Sequence, residues 1–255
     1  MPVRVELAGR RADIVLDRPE ALNALDGEMI TDLARAMAKI EDNPDVRVVV
    51  LRGSGNSFCA GADLRFVMDL LDRPDDLERF TRLLGETFNA LEFLDRPVIG
   101  ALHGYVLAGG LELALCCDLL IAAQDARIGD QHVNFGLIPG GGASVRLPRA
   151  VGLRRAAELL YSGRWLSGRE AAEMGLVNRA VPREQLSAAV DELAGELAAK
   201  SPDALKAMKQ LVRRTIHMPS EALELERSTF VRHVTTSPDV GEGLRAFREK
   251  RRPVF

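Results

Sequence analysis

The residues best able to do chemistry together lie between Pro97 and Asp118. Glu112 interrupts the apolar run Leu111, Leu113, Ala114, Leu115. A carboxylate in the first turn of a buried helix is costly unless it is hydrogen-bonded or put to use. Gly109 and Gly110 stand where that helix begins, so their N–H groups are among the unpaired donors of a helix N-terminus. A turn of this kind can offer backbone N–H groups to a developing negative charge. A second tight turn of small residues, Ala60-Gly61-Ala62-Asp63, has the same character. If both turns face one cavity, each can supply one N–H to a carbonyl oxygen, a pair that suits an enolate or a tetrahedral oxyanion. A nearby carboxylate then acts as general acid or base.

Other chemistries find little support. The chain has no G-x-x-x-x-G-K-[ST], no G-x-G-x-x-G after a strand and no G-x-S-x-G elbow. Its four histidines, His103, His132, His217 and His233, show no paired metal spacing. The formal net charge of −3 favours neither nucleic acid nor an anionic membrane, and 5% aromatic residues leave little for base stacking. No apolar run approaches the roughly 20 residues of a membrane span, and the N-terminus lacks the apolar core of a signal peptide. Three cysteines, two of them adjacent (Cys116, Cys117), make no disulfide framework, so a reducing cytoplasm is expected.

Stepping outward, 255 residues allow one large domain or a domain with an appendage. Val3 to Leu7 and Ala12 to Leu16 read as a β-hairpin around Gly9. Asp26 caps a helix to about Ile40 with the stripe Met29, Ile30, Leu33, Met37, Ile40. Val46 to Leu51 reads as a buried strand, and Asp75 to Leu94 as a helix with Leu77, Phe80, Leu84, Phe88 and Leu91 on one face. Strands follow at Val98 to Leu102, Leu119 to Ala123, Ala126 to Gly129 and Leu176 to Val181. Ala143 and Arg154 begin helices, and Ser167 caps another that Gly175 ends. From Arg183 only helices are expected, over Gln185 to Lys200, Asp203 to Ile216, Glu221 to Arg232 and Asp239 to Lys250. Cys116 and Cys117 are expected on a buried helix that Asp118 ends, pairing locally; His103 in a turn; Tyr161 and Trp165 beneath the last strand.

In the order in which its motifs occur, the chain resembles the crotonase superfamily, which includes the enoyl-CoA hydratases and isomerases. The matching stretches are RPEALNAL (Arg18 to Leu25), SFCAGADL (Ser57 to Leu64), PVIGALHGYVLAGGLELALCCD (Pro97 to Asp118), FGLIPGGG (Phe135 to Gly142), LSGREAAEMGLVNRAVP (Leu166 to Pro182) and FREKRRPVF (Phe247 to Phe255). The resemblance implies an α/β spiral of ββα units over 1–195 that holds an acyl-CoA site, and an all-helical region over 196–255 that builds a homotrimer or a hexamer, a dimer of trimers. It implies an acyl-CoA thioester as substrate, with coenzyme A part of that substrate and no separate cofactor. The oxyanion donors would be the amides of Ala62 and Gly109. Ala21 and Leu22, with Ala60, Gly61, Ala62, Asp63 and Leu64, match the parts that hold nucleotide and pantetheine. Phe247 and Lys250 match tail positions that reach the CoA of a neighbouring subunit, and the basic run Arg248 to Arg252 is either a solvated face or a phosphate contact.

One departure bears on mechanism. Hydratases of this family use two glutamates; Glu112 matches the first, but His132 stands at the second, with Asp130 two positions away. Imidazole can serve as acid or base, with an ordinary pKa near 6.5. Three readings follow: a hydratase-like enzyme in which Glu112 and His132 divide the proton transfers, an isomerase or thioester hydrolase, and an acyl-CoA binder without turnover.

Overall fold

The first two apolar runs pair as an antiparallel ladder, β1 (Val3–Ala8) with β2 (Arg11–Leu16), turning at Gly9 with φ 59°. Asp26 caps α1 (Gly27–Glu41), its Oδ1 accepting from Met29 N at 2.8 Å. The computed structural model describes residues 1–70, 72–215, 236–251 and 253–254; the helix expected over Glu221 to Arg232 lies outside the described residues.

From β3 (Val48–Gly53) onward the chain shuttles between two sheets. It runs in β3, touches the smaller sheet at Cys59, and enters α2 (Leu64–Leu70) and α3 (Pro74–Glu92). It returns in β4 (Val98–Leu102), crosses to β5 (Tyr105–Leu107) and enters α4 (Gly109–Ala114). It returns again in β6 (Leu119–Ala123), crosses to β7 (Arg127–Gly129), makes a 3-10 turn at His132–Phe135 and enters α5 (Ala143–Val151). Each circuit is strand, strand, helix, and successive circuits stack, as a ββα spiral requires. The six-stranded sheet has the order β1-β2-β3-β4-β6 and then β9 (Arg179–Val181), parallel from β2 on. The smaller sheet sets β5 parallel to β7, with β8 (Leu166–Ser167) antiparallel on its far side.

α6 (Leu153–Ser162) and α7 (Gly168–Met174) complete the body; Ser167 and Glu170 form a capping box on α7, and Gly175 ends it at φ 82°. The tail contains α8 (Leu186–Ala198), α9 (Pro202–Thr215) and α10 (Pro238–Glu249). Among the described residues no helix is long and apolar enough to cross a membrane.

Several local expectations are corrected. The helix after Gly109 stops at Ala114, and Cys116 and Cys117 lie in the turn beyond it, both buried. Asp118 does not pair locally: its Oδ2 accepts from Val98 N at 2.8 Å, which draws the chain back beside β4. The last strand starts at Arg179 because Leu176 N and Val177 N bond back to Ala171 O around the end of α7. Trp165 stacks on Tyr105 with ring centroids 6.2 Å apart, and Tyr161 is exposed, so neither lies beneath β9.

A largely buried ion-pair chain ties the tail to the body. Arg146 Nε binds Glu92 Oε2 at 2.7 Å, and Arg213 of α9 binds Glu92 Oε1 at 3.0 Å and Asp118 Oδ1 at 3.1 Å. Lys209 binds Asp118 Oδ2 at 2.7 Å and donates to Arg96 O. These residues border a cavity of about 720 Å³ that neither Glu112 nor His132 lines. Removing one member of a buried ion pair strands its partners without compensation. Glu92→Ala, which among the described residues takes from Arg146 its ion-pair partner and leaves Arg213 only Asp118, is expected to lower the unfolding free energy by about 3 kcal/mol in urea titration.

Candidate active site

Stacking of the circuits brings the two small-residue turns side by side. Cys59 bridges Val106 in parallel, and Val106 in turn pairs with Ile128 of β7. The segments leaving these three positions are therefore neighbours. A methyl group on Gly61 would lie 2.9 Å from Leu107 O and 3.4 Å from Gly109 N; one on Gly109 would lie 3.4 Å from Ala62 N. Gly61 has φ 105°, so glycine is needed there for both conformation and space. One more segment joins from the N-terminal side. Leu25 N donates to Gly61 O and Asp63 N to Leu25 O, a ladder that leaves out the Ala62 N–H. Gly109 is the first residue of α4, so its N–H has no acceptor within the helix. Ala108 precedes it at φ 47°, ψ −117°, a conformation rare for an L-residue and of the kind that concentrates at functional sites.

Glu112 points inward from α4 and is 1% exposed. Its Oε1 accepts from Gly141 N at 2.8 Å and Ala143 N at 3.0 Å, at the start of α5. Arg146 holds the peptide between these two amides, donating to Gly141 O at 2.7 Å while its Nε donates to Glu92 Oε2. Burial pushes the Glu112 carboxyl above the usual carboxylate range, and the two amides and His132 only partly oppose it. Oε2 is left facing Nε2 of His132 at 3.9 Å.

His132 opens the 3-10 turn beyond β7, with its side chain 12% exposed. Its Nδ1 lies 2.9 and 3.0 Å from the two oxygens of Asp130, and its own N–H donates to Asp130 Oδ1 at 3.2 Å. Burial acts to lower the pKa of the ring, but the hydrogen bond and charge of Asp130, with the charge of Glu112, outweigh it and hold the ring above its ordinary value. Asp130, noted in the sequence only as lying two positions from the second-glutamate position, is thus the partner of the His132 ring. Its signal was the Asp-x-His spacing at the end of a buried strand.

The remaining residues implied by the resemblance divide. Leu22 and Leu64 are exposed, and Ala21, Ala60 and Ala62 are half-buried. Leu22 O accepts from Ala60 N at 3.0 Å, which joins the two segments. Asp63 is occupied with structure: Arg18 bonds its Oδ2 at 3.1 Å, and its Oδ1 accepts from Arg65 N and Phe66 N at the start of α2. The buried Asn23 clamps the same region, accepting from Arg18 N and donating to Ser54 O and Ser57 O. Lys250 is exposed at the end of α10; the Phe247 side chain lies outside the described residues.

Residues 10–255 match the Enoyl-CoA hydratase/isomerase family. The chain belongs to that family, within the crotonase superfamily. It is 35% identical over 253 residues to the Crotonyl-CoA hydratase of Syntrophomonas wolfei, covering 98% of this chain and 96% of that one. It is 34% identical over 252 residues to the Short-chain-enoyl-CoA hydratase of Clostridium acetobutylicum, covering 98% and 95%. The crystal structure of an enoyl-CoA hydratase from Bacillus anthracis superposes with a TM-score of 0.95 at 34% identity, covering 100% of this chain and 99% of that one. The mixed α/β spiral expected of this family member is thus the fold observed.

The Glu112 cradle yields a sharp expectation. A methyl group at Gly141 would lie 2.8 Å from Glu112 Oε2 and 2.9 Å from the Phe88 ring. Where a carboxylate takes part in a reaction, a displacement of about 1 Å can cost on the order of 100-fold in rate. Gly141→Ala should lose about that much turnover on an enoyl thioester while melting as a folded protein.

Proposed function

We propose that this enzyme adds water to, or removes it from, a 2-enoyl-CoA thioester, with Glu112 and His132 as its acid–base pair and the amides of Ala62 and Gly109 as its oxyanion donors. The observation that carries this reading is the facing of Glu112 Oε2 and His132 Nε2 at 3.9 Å, next to the paired turns. In the hydration direction Glu112 takes a proton from water as the water oxygen bonds to the β-carbon. The electrons of the double bond move onto the thioester oxygen, where two N–H donors meet the enolate charge. The imidazolium of His132 gives its Nε2 proton to the α-carbon. Glu112 then holds one proton more and His132 one fewer; transfer between them restores the starting state. The raised pKa of Glu112 makes it a stronger base than an ordinary carboxylate, and the raised pKa of His132 keeps it charged further into the neutral range.

The exposed segments at Ala21, Leu22 and 60–64 are assigned to nucleotide and pantetheine, and Phe247 and Lys250 to the CoA held by a neighbouring subunit. The chemistry uses only side chains, amides and the thioester, with coenzyme A arriving as part of the substrate. Residues 1–195 then act as the catalytic core and 196–255 as the region that assembles a trimer or a dimer of trimers. Met208 and Val212, exposed on α9, supply apolar surface for that assembly. Free, buried cysteines agree with a cytoplasmic setting.

The deciding experiment is mass spectrometry of a panel of enoyl-CoA thioesters incubated in heavy-oxygen water. Incorporation of one heavy oxygen into an intact 3-hydroxyacyl thioester is expected. A free acid would make the protein a hydrolase, and a shifted double bond at constant mass an isomerase. Tight binding without any product would favour the acyl-CoA binder. Glu112→Gln should lower kcat by about 10²–10⁴-fold and leave thioester binding in place. The rate should follow a bell-shaped pH profile. Its acid limb, from protonation of Glu112, is expected above the usual carboxylate range, and its alkaline limb, from deprotonation of His132, above the ordinary imidazole value.

A further inference from the structure

His132 lies between two carboxylates. Asp130 meets Nδ1 at 2.9 and 3.0 Å, and Glu112 faces Nε2 at 3.9 Å. Both carboxylates are 1% exposed. Glu112 has other partners in the amides of Gly141 and Ala143. Asp130 has not: among the described residues the contacts of its carboxylate are the backbone N–H and the ring of His132, and its one ion pair is to that ring. A carboxylate so deeply buried requires a compensating charge. The charged groups facing the ring are Asp130 from its own segment and Glu112 from α4; Arg146 of α5 lies behind the Gly141 peptide, bound to Glu92 of α3.

We propose that Asp130 is a positioning residue that holds His132 as an imidazolium, with Nδ1–H committed to Asp130 and Nε2–H aimed at the reacting space beside Glu112. The histidine thereby becomes a preloaded proton donor where family members with two glutamates carry a carboxylic acid. The neutral tautomer with its proton on Nε2 is excluded, because Nδ1 would then present a lone pair to a carboxylate. Asp130 itself exchanges no proton with substrate. The inference rests on the reading of Glu112 and His132 as the acid–base pair.

The test uses Asp130→Asn, His132→Gln and the double variant, with kcat and KM followed across pH. Asp130→Asn should move the alkaline limb of kcat down by roughly 1 unit or more and leave KM unchanged. In the His132→Gln background it should add no further loss. In the unsubstituted protein, nitrogen-15 NMR of the His132 ring should show both nitrogens protonated at neutral pH. An unmoved alkaline limb, an equal further loss in the His132→Gln background, or a ring that is neutral at pH 7 each overturns the proposal. The NMR measurement decides the matter if Asp130→Asn fails to fold. The two readings fail differently. Full turnover by His132→Gln would remove the acid–base pair itself, whereas loss in His132→Gln with an unmoved Asp130→Asn profile would remove only the role given to Asp130.

Discussion

The site depends on parallel pairing between successive circuits of the chain. Cys59, Val106 and Ile128 are side-by-side residues of the smaller sheet, each from a different circuit. Parallel pairing in register makes every segment that leaves this row a neighbour of the next. The turn at 60–63, the turn at 107–110 and the segment 129–132 therefore converge, although they are far apart in sequence. On the proposed assignment the chemistry is distributed over them in the same order: one amide, then an amide with a carboxylate, then the imidazole. Glycine is required where backbone meets backbone. A methyl group on Gly110 would lie 2.1 Å from Cys59 O, and one on Gly61 would press on Leu107 O.

Electrostatics then tune what topology brings together. Glu112 is buried, so its charge is disfavoured, yet two amides at the start of α5 keep one oxygen anchored. The competition leaves a carboxylate that is fixed in place and more basic than usual, as the proposed base role asks. The anchor is itself anchored. Gly141 presents its N–H to Glu112 because Arg146 holds its carbonyl, and Arg146 is held by Glu92, which Arg213 grips from α9. Docking of the tail and the aim of the carboxylate are thus mechanically connected through three side chains.

Much of this was legible in the sequence where local chemistry is decisive. Asp26 and Ser167 mark true helix starts because a short oxygen-bearing side chain can satisfy an N-terminal amide without help from the rest of the fold. The helix α3 followed from its apolar face, and the strands at β3, β4 and β6 from short apolar runs. Elements held by their neighbours were not legible. β5 has three residues, too few to show alternation, and exists because β7 pairs with it. Asp118, just past the end of α4, has partners that lie some 95 residues away, since Arg213 and Lys209 engage it while it binds the start of β4. Asp63 reads as part of a binding turn, but its carboxylate serves Arg18 and α2. The Asp130–His132 contact is local, two residues apart, yet its meaning depends on Glu112 arriving from another circuit.

Charge balance explains why a histidine at this place needs an aspartate beside it. Two carboxyl groups facing each other in a buried site can share one proton, leaving a single negative charge and one acid ready to donate. Replacing one carboxyl by a neutral imidazole leaves a donor–acceptor group that is a far weaker acid than its protonated form. Protonating the imidazole creates a good donor, but desolvation opposes the charge. A second buried carboxylate on the opposite nitrogen reverses that balance and also fixes the plane of the ring. With the imidazolium proposed above, the trio Asp130, His132 and Glu112 carries one net negative charge and one transferable proton, the same inventory as two carboxyl groups sharing a proton. On the proposed roles, the histidine at 132 and the aspartate at 130 together keep the proton count of a two-carboxyl site.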